Sequence, residues 1–197
     1  MAAGLRERKK QRTRAQIATA ALQRFFRDGF DATSVQQICD DAEVAVSTFY
    51  AYFTSKEATV FPDDDERADL VAAAIVEASP EESAAAVLRH ASLALARRDN
   101  SDRTAIMRRL KLVNREPALA AYAARRQAEH VDRFTALLAR RMGVDPVRDM
   151  RPRLAVATSM AAVLAAWSAW LAQPKSDLLS LVTQAHDLLD HGLASNT

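Results

Sequence analysis

Apolar residues recur along this chain at helical spacing, and strand-like alternation appears nowhere. Ile17, Ala21 and Phe25 follow one another every four residues, with Ala18, Leu22 and Phe26 beside them, which predicts a helix over about 8–28. Gly29 suits the cap that ends it. Thr33 and Ser34 open a second helix, since Ser34 with Gln37, or Thr33 with Gln36, has capping-box spacing. Val35, Ile38 and Ala42 face one side of it. A short turn at Glu43 and Val44 leads to a third helix over about 45–51, closed by Phe53 and Thr54. Ser55 caps a fourth, with Glu57 in its first turn. That helix breaks or bends near Phe61, because proline at 62 disfavours helix in the residue before it. The acidic run 63–66 then suits a new helix N-terminus. Further helices are predicted over about 81–97, 102–114, 117–141, 147–172 and 176–190. Pro80, Pro117 and Pro174 stand at or before their starts, and Gly143 and Gly192 after two of their ends. The pattern predicts an all-α chain of about nine helices.

Composition supports this. About a fifth of the 197 residues are alanine, and only 4 are glycine and 6 proline, a balance that favours helix. Hydrophobic residues make up 49% and charged residues 26%, enough to build a core. The lone Cys39 excludes an intramolecular disulfide and fits a reducing cytoplasm; inside a helix with no basic neighbour it reads as a small core residue. No secretory signal is visible, because the basic start leads into a mixed helix. The uncharged stretch 154–172 contains eight alanines as well as Thr158, Ser159 and Ser168, which suits a buried helix better than a membrane span.

Net charge is only +2, but its distribution is informative. Residues 1–14 carry Arg6, Arg8, Lys9, Lys10, Arg12 and Arg14 against the single acid Glu7. A basic arm on a near-neutral body points to a polyanion, with a solvated tail as the alternative.

The stretch 33–57, TSVQQICDDAEVAVSTFYAYFTSKE, has the build of a DNA reader. A short helix, a tight turn and a second short helix place the second in a major groove. Its expected exposed face offers Val46, Ser47, Thr48 and Tyr50, while Phe49 and Phe53 point inward. Ser and Thr reach base edges or phosphates, and an apolar side chain meets a thymine methyl. Tyr50, Tyr52, Lys56 and Thr33 suit phosphate oxygens.

The same residues carry a resemblance. Thr33-Ser34-Val35, Ile38, Ala42, Val44, Thr48-Phe49-Tyr50, Tyr52-Phe53 and Ser55-Lys56-Glu57 stand in register with the DNA-binding motif of the tetracycline-repressor (TetR) family. Upstream, Arg14, Ile17, Ala20, Ala21, Phe25 and Gly29-Phe30 match that family's first helix. The resemblance covers roughly residues 10–60. Three departures stand out. Glu43 occupies the usual turn glycine's place, Ala45 that of a Ser or Thr cap, and Ser47 that of a common small glycine.

The resemblance implies a helix-turn-helix DNA-binding domain over 1–56 and a ligand-binding and dimerisation domain over 57–197. It implies a homodimer joined through the last two helices. Leu178, Leu181, Val182, Ala185, Leu188 and Leu189 form a fitting stripe on the last helix, and the one before it is apolar on more than one face. It implies an effector held between the middle helices, for which Ile75, Leu88, Ile106, Met107, Leu110, Tyr122, Phe134, Met160, Leu164 and Trp167 are candidates; each also reads as ordinary core. A second resemblance runs from Ala42 through Lys56-Glu57 to Asp63-Asp64-Asp65, and on through Leu110, Glu116-Pro117-Ala118-Leu119 and the Trp-containing penultimate helix. It points to an actinobacterial TetR subgroup with acyl-coenzyme-A-like ligands. Arg108, Arg109, Lys111 or Arg115 would then meet phosphates, or else form a solvated basic face.

Residues 60–197 show no catalytic constellation, no Gly-rich phosphate loop and no metal-ligand spacing among His90, His130, His186 and His191. The expectation is a cytoplasmic regulator rather than an enzyme, without cofactor, metal or membrane. Its partners would be double-stranded operator DNA and a small apolar effector. Most simply it is a repressor released from a palindromic operator. An activator, or a DNA binder without a ligand, are the alternatives.

Overall fold

The computed structural model describes residues 2–100, 103–173 and 175–192. Among these the fold is nine α-helices and no strand. They are α1 (Ala2–Asp28), α2 (Val35–Asp41), α3 (Val46–Tyr52), α4 (Asp64–Glu77), α5 (Ala84–Asn100), α6 (Arg103–Arg115), α7 (Pro117–Met142), α8 (Arg151–Ala172) and α9 (Leu178–His191). Of the expected boundary residues, Asp102 and Pro174 lie outside the described residues.

Two differences from the sequence reading have local causes. α1 begins at Ala2, so the basic arm is the first three turns of a helix rather than a tail. The segment expected to open a fourth α-helix is a 3-10 turn, Glu57–Val60, whose Ala58 N–H is 3.4 Å from Ser55 Oγ. Pro62 prevents that turn from continuing, and α4 starts afresh within the acidic run.

The chain divides into two compact units. The first takes Met1–Asp64 and Arg108–Ala124, the second Asp65–Met107 and Arg125–Thr197. By packing, then, the first unit extends beyond residue 56 and adds a segment from α6 and α7. Its core joins Ile17, Ala21 and Phe25 of α1 to Ile38, Phe49, Phe53 and Val60, and to Leu112, Val113 and Leu119.

In the second unit α5, α8 and α9 pack on one another. Ala68, Ala72 and Ile75 of α4 join Val87, Leu88, Phe134, Leu138 and Val156 in one apolar cluster. α8 is long and apolar enough to cross a membrane by length and composition alone. One face of it, through Val156, Ser159, Ala162, Ala166 and Trp170, is buried within the unit. Leu154 and Leu164 on its other side are exposed, at 57% and 49%.

Candidate nucleic-acid interface and effector region

The helix-turn-helix is held by local chemistry that the sequence encodes. Ser34 caps α2 through a complete capping box: its Oγ accepts from Gln37 N–H, and the Gln37 side chain accepts from Ser34 N–H at 2.9 Å. At the other end of α2, Glu43 N–H donates to Asp40 O and Val44 N–H to Cys39 O, the pair of bonds of a Schellman turn. Glu43 supplies the left-handed residue, with φ 52°, where glycine is usual. Gln16 Nε2 reaches from α1 to Ala42 O at 2.8 Å and pins the same turn. Arg24 grips Asp41 with two nitrogens, at 2.6 and 2.8 Å. That hydrogen bond holds the Asp41 carboxyl below the usual carboxylate range. Cys39 is buried, which pushes its thiol up and keeps it unreactive.

α3 starts at Val46 with Ala45 as its N-cap and no side-chain cap bond. Phe49 is buried and Phe53 nearly so, fixing which face turns outward. Ser47 and Tyr50 are exposed, Tyr50 at 56%. Val46 and Thr48 are half-buried beside them. Ala51, four residues from Ser47, is exposed on the same face. The sequence reading passed over it for lack of a polar group, although helical spacing alone would have found it.

The three outer candidates are placed differently. Tyr52 is half-buried against the core. Thr33 is buried, and its hydroxyl donates to Gly29 O at 2.7 Å. Lys56 Nζ donates to Phe30 O at 2.7 Å and Thr33 O at 3.1 Å, and lies 4.1 Å from the centre of the Phe30 ring. Arg14 of the basic run also turns inward, donating to Pro62 O at 2.6 Å and Tyr52 O at 3.1 Å, with its guanidinium over Phe53.

The effector candidates do not form one group. Ile75, Leu88, Phe134 and Met160 belong to the single apolar cluster of the second unit. Ile106 is buried and Met107 half-buried in that unit. Trp167 is half-buried there, its ring edge-on to Trp170 with centroids 5.8 Å apart and the Arg67 guanidinium 5.8 Å away. Leu110 and Tyr122 belong to the first unit, where Tyr122 stacks on Phe61. Leu164 is exposed on α8, pointing away from the cluster. Of the basic residues expected to meet phosphates, Arg109 is 3.5 Å from Asp63, Arg108 lies over Phe26, and Lys111 and Arg115 are exposed.

Comparison with known proteins places these features. Residues 17–60 match the model described as bacterial regulatory proteins, tetR family. Residues 82–194, over half the chain, match the model described as the MftR C-terminal domain. The chain is 32% identical to the HTH-type transcriptional regulator TcmR of Streptomyces glaucescens, over 95% of this chain and 85% of that protein. Among solved structures it shares its fold with the fatty acid degradation regulator FadR of Bacillus halodurans, with TM-score 0.60 and 22% identity, covering 93% of this chain and 97% of that one. It also resembles Thermus thermophilus FadR, a transcriptional repressor solved in complex with lauroyl-CoA. There the TM-score is 0.52 and identity 22%, over 93% of this chain and 96% of that one.

Proposed function

The chain belongs to the tetR family of bacterial regulatory proteins and is a DNA-binding transcriptional regulator, and from that premise we propose that it is a cytoplasmic, dimeric repressor released from a palindromic operator by a small apolar effector. The observation that carries the DNA side is the exposed face of α3. Ser47, Tyr50 and Ala51 stand outward on a helix whose Phe49 is locked in the core, flanked by half-exposed Val46 and Thr48. Those five read bases and adjacent phosphates. Thr33, Tyr52 and Lys56 serve mainly by fixing the helix that does so. In functional terms residues 1–56 bind DNA, and 57–197 bind effector and partner.

Dimerisation uses the uncovered faces of α8 and α9. Leu154 and Leu164 on one, and Leu188 and Leu189 on the other, are exposed apolar groups on neighbouring antiparallel helices. A second copy would cover them by twofold symmetry. Two recognition helices about one DNA turn apart then act together on a palindrome.

For the effector we favour an acyl chain, as in a fatty acyl thioester. The second unit's cluster sets Ile75, Leu88 and Phe134 around the small Ala68 and Ala72, with Met160 at its edge. Small residues and an adaptable thioether re-pack readily around a flexible chain. By linkage, an effector that weakens operator binding must itself be bound less tightly by the DNA complex. Titrating lauroyl-CoA into the protein on duplex DNA from its own upstream region tests this. Release of the DNA is expected, and unchanged affinity at saturation would exclude acyl thioesters as effectors.

A further inference from the structure

The stripe of α1 that builds the first unit's core does not stop where the core stops. Ile17 is fully buried, and Ala20, Ala21 and Phe25 continue its face toward the C-terminus. Toward the N-terminus the same face carries Thr13, Lys10, Lys9 and Arg6. Lys10 and Arg6 lie about two and three turns before Ile17, directly in line with it. On this face the side chains change from apolar to basic where the core ends.

What they face is an open groove. Arg6, Lys9, Lys10 and Thr13 line one wall, and Ala51 and Tyr52, at the end of α3, line the other. Glu7 is the one acid present. The Tyr52 backbone is fixed in place by Arg14, one turn beyond Lys10, which donates to its carbonyl at 3.1 Å. The groove therefore has a rigid floor and a positively charged wall, and it begins at the helix proposed to read bases. Arg8 and Arg12 are about half a turn out of phase with Ile17, on the opposite side of α1.

The geometry points to a phosphate-backbone groove. The sugar–phosphate strand that passes the C-terminal end of α3 lies between α3 and α1, with Arg6, Lys9 and Lys10 on its phosphates and the Thr13 hydroxyl as a neutral donor. This inference rests on the DNA-binding reading and extends it. Contacts to the duplex run past the recognition helix onto a helical extension, and only the cations of one face of that extension take part. The contacts position the protein without reading bases.

A charge-matched pair of variants tests it. Lys9→Ala with Lys10→Ala removes two groove cations, whereas Arg8→Ala with Arg12→Ala removes two from the opposite face. Alanine is the strongest helix former, so neither pair unwinds α1. The probe is a labelled duplex enriched by the unaltered full-length protein from a random library, with affinity measured across a salt series. Each lost phosphate contact lowers the log–log salt slope by about 0.9. The groove pair is expected to lower it by about 2, so that the affinity lost between about 50 and 200 mM salt shrinks roughly tenfold. The opposite pair is expected to leave the slope nearly unchanged. Equal effects from both pairs would overturn the groove in favour of diffuse attraction to a basic helix, and no effect from either would overturn it outright. If the unaltered protein enriches no duplex at all, the DNA-binding reading itself falls, a result distinct from either of these.

Discussion

The ammonium of Lys56 donates to the carbonyl oxygen of Phe30 at 2.7 Å while lying 4.1 Å from the centre of that residue's ring. A second bond, to Thr33 O, ties the same cation across the link between α1 and α2. A lysine that the sequence offers as a phosphate ligand is thus the clasp between the C-terminal end of the helix-turn-helix and its first turn. Charge-assisted hydrogen bonds of this kind contribute about 1.5–3 kcal/mol.

Lys56→Ala should therefore lower unfolding free energy by about 1.5–3 kcal/mol, read from urea denaturation. DNA affinity should fall alike for all sequences, whereas Ser47→Ala should change preference among sequences. Unchanged stability with weakened DNA binding would instead return Lys56 to the phosphates.

Glu43 stands in the left-handed region at the Schellman position of α2, where a side chain costs about 1–2 kcal/mol. Glycine removes that strain but adds about 0.5–1 kcal/mol of chain entropy. Glu43→Gly should then stabilise the protein by up to about 1 kcal/mol, raising the thermal midpoint by a few degrees. A lower midpoint would show that the Glu43 side chain makes a compensating contact.

The fold was legible where the chain carries local punctuation. Ser34 with Gln37, Pro117, Gly29 and Gly143 each fix a helix end by chemistry confined to a few residues. Lys56 was not legible, because its partners lie 23 and 26 residues away and only the folded chain brings them near. Leu164 was misjudged for another reason: α8 is apolar all round, so periodicity cannot say which side is covered. Leu110 and Tyr122 were grouped with the effector candidates because a linear reading cannot show that residues 108–124 pack with the first unit. On α3, the inward Phe49 and outward Ser47 and Tyr50 followed directly from helical spacing.

His186 of α9 is buried at 4% exposure, and its Nε2 has no hydrogen-bond partner. Burial holds its pKa below the ordinary 6.5, and Arg89 of α5 adds to this, while Asp190 and Asp187 act the other way. The folded state keeps the ring neutral, so the unfolded state binds the proton first as pH falls. Stability should be complete above about pH 6.5 and decline below it until the depressed folded value is passed. His186→Leu should flatten that decline in thermal melts at pH 7.5, 6.5 and 5.5 (roughly the window set by an ordinary histidine). A decline of the same size in the variant would place its origin in other groups.

Leu164 is 49% exposed, so a polar group there leaves the folded protomer intact. Leu164→Glu places like charges near one another across a twofold α8–α9 interface. Light scattering should find monomers with native helicity and operator binding should weaken by orders of magnitude. Dimers of the variant would move the interface off this face of α8.

Sequencing of duplexes enriched by the purified protein from a random library bears on everything above. The account predicts inverted repeats whose half-sites lie about one helical turn apart, or a multiple of it, and loss of that enrichment when Ser47 and Tyr50 are both replaced by alanine. An unstructured pool, or an enriched motif that survives both replacements, would contradict it.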